Sequence, residues 1–300
     1  MWELRVILGP LPRIGITEGD PSGIGPEISE KAAADPRVRA ACEPVLYGPD
    51  DRARFEPGQL SADAGRAACD AIGRALRDAQ AGVIAGMATA PINKEALALA
   101  GFKWRGHTDM LAELTDAPRV AMMFYAERLR VVLATIHVPL ADVPRLLTMD
   151  RMCDVIDLTA KELPRFGFSK PRLALAGLNP HAGEHGLLGS EERAVLEPAV
   201  ARSRAAGLDV TGPLPADTVF VRALGGEFDA VIACYHDQGL IPIKLVAFGQ
   251  AVNVTLGLPV IRTSVDHGTA FDIAGRGVAN PESMIQAVLL AAKLAASKRC

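Results

Sequence analysis

Seven short apolar runs recur along the chain. They are RIGIT (13–17), PVLYG (44–48), GVIAGM (82–87), RVVLATI (130–136), RLALAGL (172–178), AVIACY (230–235) and VIRTSV (260–265). Each is short and rich in β-branched or aliphatic residues, so each is predicted to be a buried strand. Between most of them lie longer stretches with helical spacing, at 62–81, 150–166 and 190–207. Strands alternating with helices predict an α/β fold with a largely parallel sheet. The last helix has the clearest signals: Asn280 to cap it, Pro281 and Glu282 to open it, and Lys293, Lys298 and Arg299 to close it. Its Met284, Ile285, Val288 and Leu289 are predicted to share one face.

Composition narrows the class. In 300 residues, 49% are apolar and 22% charged, which excludes a disordered chain and provides for a sizeable core. The net charge is −3 and no basic block occurs, so neither a nucleic acid nor an anionic membrane is the expected partner. Five cysteines, at 42, 69, 153, 234 and 300, form no C-x-x-C pair and read as reduced thiols of a cytoplasmic protein. The opening MWELRVILGPLPR is too broken by charge and proline for a signal peptide, and no apolar run approaches the roughly 20 residues of a membrane helix. The 28 glycines and 21 prolines are spread evenly, as suits many tight loops, and no linker or repeat separates domains. Charged, proline-containing stretches near 116–119 and 141–150 are the only hints of a boundary.

The chemistry concentrates in three kinds of position. Of six histidines, His137, His181 and His236 each follow an apolar run directly. Ligands of open α/β sheets bind beyond the carboxyl ends of strands, so these three imidazoles could converge on a divalent metal; the alternative is three strand-end residues bonded to backbone. The loops GDPSGIGPE (19–27) and DHGTAFDIAGRG (266–277) are rich in small residues. The first could offer helix-start amides to an anion, or be a tight turn; the second could admit a flat or charged ligand close to the backbone. Polar residues also interrupt apolar patterns: Lys244 in IPIKLVAF, Asn253 in AVNVTL and Arg262 in PVIRTS. A buried cation needs an anionic ligand or an internal carboxylate. GHTD (106–109) reads as a helix start that could turn His107 and Thr108 toward an anion, whereas His185 and the pair Met122–Met123 have only a structural reading.

Several motifs then follow in order: GDPSGIGPE, TAPINKEAL (89–97), GHTD, IHVPL (136–140), LNPHAGE (178–184), PADTVF (215–220), YHDQGLIPIK (235–244) and TLGLPVIRTSVDHGTAFDIAGRG (255–277). On these motifs the chain resembles the 4-hydroxythreonine-4-phosphate dehydrogenase family of vitamin B6 biosynthesis, over essentially its whole length. Its two glycine-rich loops are also similar to those of the wider isocitrate and isopropylmalate dehydrogenase fold. The resemblance implies an α/β subunit of two domains, 1–118 plus 265–300 and 119–264, with an interdomain active-site cleft. It implies a homodimer with a shared active site. Metal ligands fall on His137, His181 and His236, the third coming from the other subunit, and the ion is Zn, Mg, Co or Mn. Substrate contacts fall on His107, Thr108, Lys244, Asn253 and Arg262. NAD or NADP belongs to the C-terminal loop, at Gly268, Asp272, Gly275 and Gly277. Lys244 joins Asp217 and Asp237 as the catalytic candidates, and either aspartate could carry a proton or orient a histidine.

The implied reaction is oxidation of a small phosphorylated hydroxy acid, 4-phosphohydroxy-L-threonine, with decarboxylation of the 3-keto acid. The chain looks shorter than typical relatives around 50–62, and TAPINKEAL with GHTD looks closer to a branch that oxidises 4-phospho-D-threonate or 4-phospho-D-erythronate. A relative acting on a terephthalate dihydrodiol needs no phosphate grip, which GHT argues against. Two other classes compete: a non-redox metal-dependent hydrolase or aldolase, and a metabolite-binding protein without catalysis. The first would have no need of the 266–277 loop.

Overall fold

The computed structural model describes residues 10–297. The opening segment, Lys298 and Arg299, which the sequence predicts to close the last helix, and Cys300 lie outside them. Among the described residues there are ten strands: β1 (Arg13–Thr17), β2 (Glu43–Tyr47), β3 (Gly86–Thr89), β4 (Ala121–Tyr125), β5 (Arg130–Leu133), β6 (Leu173–Ala176), β7 (Val210–Leu214), β8 (Ala230–Ala233), β9 (Val252–Leu256) and β10 (Arg262–Ser264). The chain divides into two compact units, one running to Met110 and resuming at Pro259, the other Leu111–Leu258. The units meet at 110/111 and 258/259, close to the expected 118/119 and 264/265, and Arg262 lies in the first unit. The proline-containing stretch at 141–150 marks no boundary.

In the first unit the strand order is β2-β1-β3-β10, all parallel. Several of its helices start where the sequence provides an acceptor. Ser61 Oγ accepts from Ala64 N (3.1 Å) at the head of Ala62–Gln80, and Asn93 Oδ1 accepts from Glu95 N (2.9 Å) at the head of Lys94–Leu99. Asn280 Oδ1 caps Glu282–Ser297 in the same way, at 2.9 Å from Glu282 N. That helix packs on β3 and β10 and buries Met284, Ile285 and Val288 as expected, but Leu289 is half-buried while Leu290 and Ala291 are buried. The apolar surface extends over more than one face because neighbouring helices Gly25–Ala34 and Pro36–Ala41 also cover it.

In the second unit the order is β9-β4-β5-β8-β6-β7. β4 runs antiparallel to both neighbours, and β5, β8, β6 and β7 run parallel. The sheet is thus less uniformly parallel than the alternation predicts, because β4, built from the Met122–Met123 run, was not among the predicted strands. Its core joins Met122, Phe124, Val131 and Leu133 to Val219, Phe220, Val231, Leu240 and Ile243. IPIKLVAF is not a strand: it forms the second half of the helix His236–Ala247, with Pro242 inside it. Lys244 is therefore a half-exposed helical residue and not a buried strand cation. Among the described residues, Cys42, Cys69, Cys153 and Cys234 are free thiols, and no helix is long and apolar enough to cross a membrane.

Candidate active site

Arg262 opens β10 in the first unit and is 2% exposed. Its Nη2 and Nε donate to Thr89 Oγ1, at 2.8 and 3.2 Å, and Thr89 ends the neighbouring β3. Burial lowers the guanidinium to about 9, so its charge is poorly solvated and favours an anion. His107 opens the helix His107–Leu114, with Thr108 half-buried after it. The His107 Nε2 is buried without a hydrogen-bond partner. Burial first, and the charge of Arg262 second, hold this imidazole well below the usual 6.5, so it is neutral and able to donate a proton in a hydrogen bond. Asp109 accepts from Arg105 N (2.5 Å), closing the turn that precedes the helix. A buried cation, a neutral imidazole with an orphan ring nitrogen and a threonine hydroxyl suit a phosphate or carboxylate.

Four amides of the GDPSGIGPE loop are bonded within the chain instead of being offered to a ligand. Asp20 N donates to Pro91 O, Ser22 N to Asp20 Oδ1, Gly23 N to Asp20 O and Ile24 N to Thr269 O, all at 2.9–3.0 Å. These donors are used within the unit, and the last ties this loop to the C-terminal one. An added Cβ on Gly23 would lie 2.9 Å from Thr269 O, which accounts for glycine at the contact. In the C-terminal loop Asp272 is exposed, and nothing lies within 4 Å of a Cβ built on Gly268 or Gly277. Both leave room for a ligand against the backbone. Gly275 differs: its φ of +73° and a Cβ position 2.7 Å from Pro57 give it a packing role.

The second unit holds the histidines. β5, β8 and β6 are adjacent and parallel, so His137, His236 and His181 all follow the carboxyl edge of one stretch of sheet. His137 and His236 approach with ring centroids 5.5 Å apart. Asp237 Oδ1 lies 2.7 Å from His236 Nδ1. With the proton on Nδ1 the ring donates to this carboxylate, and the Nε2 lone pair is directed elsewhere, as in a metal-ligating histidine backed by a carboxylate. The donor chemistry of this pair fits a divalent transition metal.

His181 is placed differently, and three imidazoles do not converge in a single chain. Among the described residues no group of three or more histidines, cysteines or acids is arranged to hold a metal. Residues 181–185 all have left-handed backbone, with φ of 52°, 52°, 80°, 42° and 56°. Outside glycine that conformation costs ~1–2 kcal/mol per residue, so this turn exists only because its surroundings hold it. His181 is exposed on the turn, which lines a cavity of about 370 Å³ with Glu184, His185, Glu197 and Pro213. Asp217 is exposed at the head of the helix Ala216–Leu224. Asn253, on β9, has a buried Oδ1 without a partner.

Four contributing residues escaped the sequence reading: Thr89, Asn179, Glu192 and Gln238. Thr89, Asn179 and Gln238 stand inside the ordered motifs, and nothing but their place in those motifs distinguishes them. Glu192 stands in an ordinary acidic helix start and carries no sequence signal.

Residues 26–291 match the family described as pyridoxal phosphate biosynthetic protein PdxA. The chain belongs to this family. A 4-hydroxythreonine-4-phosphate dehydrogenase of Geobacter metallireducens is 46% identical, covering 96% of this chain and 96% of its own. A D-threonate 4-phosphate dehydrogenase of Cupriavidus necator is 44% identical, covering 95% and 98%. The crystal structure of a 4-hydroxythreonine-4-phosphate dehydrogenase from Klebsiella pneumoniae superposes with a TM-score of 0.88 at 41% identity, over 96% of this chain and 99% of that one. An isocitrate dehydrogenase from Methylococcus capsulatus, at 17% identity and a TM-score of 0.54, shares the fold. This PdxA-family chain is accordingly an oxidoreductase of the dehydrogenase type, on an α/β fold related to that of isocitrate dehydrogenase.

Proposed function

We propose that the chain oxidises the 3-hydroxyl of 4-phosphohydroxy-L-threonine and releases carbon dioxide from the resulting 3-keto acid. The observation that carries this reading is the His137–His236 pair with Asp237 behind it, beyond the carboxyl ends of adjacent parallel strands. When bound, a divalent ion would lower the pKa of the alcohol and NAD or NADP would accept the hydride. Everything else falls to the chain's own residues. His137, His181 and His236 are the ligand set for the ion, contributed jointly by the two subunits of the proposed dimer. Arg262, His107 and Thr108 grip the anionic phosphate, with Lys244 and Asn253 as further contacts to the substrate's polar groups, so the carbinol is held in one orientation. Asp237 is occupied with His236 and is assigned to orienting it. Asp217 is assigned the alcohol proton. The hydride leaves C3 as that proton leaves oxygen. The C1–C2 bond then breaks, carbon dioxide departs, and a proton returns to C2. Gly268, Asp272, Gly275 and Gly277 belong to the loop assigned to the nicotinamide cofactor.

A second substrate reading has its own support: relatives named D-threonate 4-phosphate dehydrogenase are as similar as those named for hydroxythreonine phosphate. The two acids differ in the group on C2, an amine or a hydroxyl, and the oxidation is the same.

We also assign the chain to a homodimer with a shared active site. The helix that begins at His236 exposes Ile241 (59%), Leu245 (82%) and, just past its end, Phe248 (82%). These positions follow i, i+4, i+7 spacing on one side of the helix, an apolar stripe that a second copy would cover.

The experiment is nicotinamide reduction by metal-loaded protein offered 4-phosphohydroxy-L-threonine, 4-phospho-D-threonate and 4-phospho-D-erythronate in parallel. Turnover of the amino acid is the expected result. Turnover of only the acids transfers the same site to the second reading, and no reduction with any of them overturns both.

A further inference from the structure

Two buried polar side chains stand behind the histidine loops of the second unit and are touched by nothing the proposed reaction uses. Gln238 lies two residues past His236 and is 9% exposed. Its Oε1 accepts from Cys234 N at 2.7 Å, and its Nε2 donates to Gly177 O at 2.7 Å. Cys234 follows β8 and Gly177 follows β6, so a single amide ties together the two strand exits that lead to His236 and His181. Both halves of that amide are used.

Glu192 is 1% exposed and begins a short π-helical turn, Glu192–Leu196. Such turns inside helices are uncommon and recur at functional positions. Its Oε1 accepts from Asn179 N at 2.7 Å and its Oε2 from Asn179 Nδ2 at 2.9 Å. The same Oε2 lies 2.8 Å from the place a Cβ on Gly183 would take, so glycine is required there for this carboxylate as well as for its φ of +80°. Glu192 thus reaches the left-handed turn at its entry and at its middle. Four non-glycine residues of that turn, His181, Ala182, Glu184 and His185, sit in a conformation they do not adopt unaided.

We infer that Gln238 and Glu192 are positioning residues: Glu192 braces the left-handed turn that presents His181, and Gln238 holds that loop in register with the start of the His236 helix. This rests on the metal-ligand reading given above. Residues that orient ligands from behind change metal affinity when lost, whereas a merely structural polar residue changes stability alone.

Cobalt(II) binding separates the two. Wild type, Gln238→Met, Glu192→Leu and Glu192→Gln are titrated with cobalt against a chromophoric chelator, and the visible cobalt spectrum, circular dichroism and Tm are recorded. Thr159→Val, which removes a buried hydroxyl bonded within its own helix (2.6 Å to Val155 O), controls for general destabilisation. Gln238→Met and Glu192→Leu are expected to stay folded, to bind cobalt about 10–100-fold more weakly and to show an altered spectrum. Glu192→Gln keeps an oxygen for Asn179 N and is expected to recover much of the affinity; Thr159→Val is expected to bind as wild type. If Glu192→Leu does not fold, Gln238→Met and Glu192→Gln decide. Folded variants with wild-type affinity and spectrum overturn the inference and leave the metal reading standing. Wild-type protein whose cobalt uptake is absent, or is unaffected by His236→Ala, overturns the metal reading and the inference with it.

Discussion

Arg262 and His107 show how burial turns ordinary residues into a binding device. A guanidinium bonded to a threonine hydroxyl and lowered to about 9 by burial gains from any anion that reaches it. Inorganic phosphate is therefore expected to raise the Tm of the wild type and to leave that of Arg262→Met unchanged. At a phosphate concentration 100 times its Kd the stabilisation would be about 2.7 kcal/mol, readable in a thermal-shift series. His107 makes a pH prediction. Its folded pKa lies well below the unfolded value of 6.5, so the unfolded chain binds the extra proton. The stability contribution is complete above 6.5 and is lost as pH falls toward the folded pKa, by up to about 1.4 kcal/mol per pH unit. His107→Leu should lack this part of the acid slope, and Tm measured from pH 8 down to pH 5 on both proteins checks it. Arg262 and His107 were legible as candidates because a cation in an apolar strand and a histidine at a helix start are unusual in themselves. Thr89 was not, since a threonine ending a strand is common and its role comes from the strand lying beside it.

At the scale of elements, the His236 helix is held by a close approach to the sheet. A Cβ on Gly239 would lie 2.7 Å from both Leu133 Cδ2 and Val131 Cγ1 of β5. Gly239→Ala should push the helix outward, at a cost of about 1–3 kcal/mol from overpacking. It should also weaken metal uptake, because His236 starts that helix; denaturant unfolding and a cobalt titration measure the two effects. The strand exits were readable from apolar runs ending in histidine. The helix was not: IPIKLVAF is apolar on nearly every position, and periodicity does not separate a buried strand from a helix whose second side is also apolar. The left-handed turn at 181–185 was equally hidden. Only one of its five residues is glycine, and the conformation is imposed by Glu192 and by the segment it bonds rather than by local preference.

For the whole molecule, the exposed stripe of Ile241, Leu245 and Phe248 is the feature an isolated chain leaves unexplained. Leu245→Asp combined with Phe248→Asp is expected to convert a dimer to a folded monomer, seen as a halved mass by light scattering with unchanged circular dichroism. Turnover should fall with the dimer if the active site is shared. A protein whose mass is that of one chain before mutation would remove the dimer assignment. The sequence alone determined the α/β class, most strand positions, the family and the place of three histidines after apolar strands, because apolar periodicity, caps and ordered motifs are local properties of the chain. The tertiary structure decided the rest. It decided that β5, β8 and β6 lie side by side, that four of the GDPSGIGPE amides are used internally, that Asp237 backs His236, and that Glu192 and Gln238 stand behind the histidine loops. Each of these depends on which strands become neighbours and which polar groups lose water together, and those are outcomes of packing between segments distant in sequence.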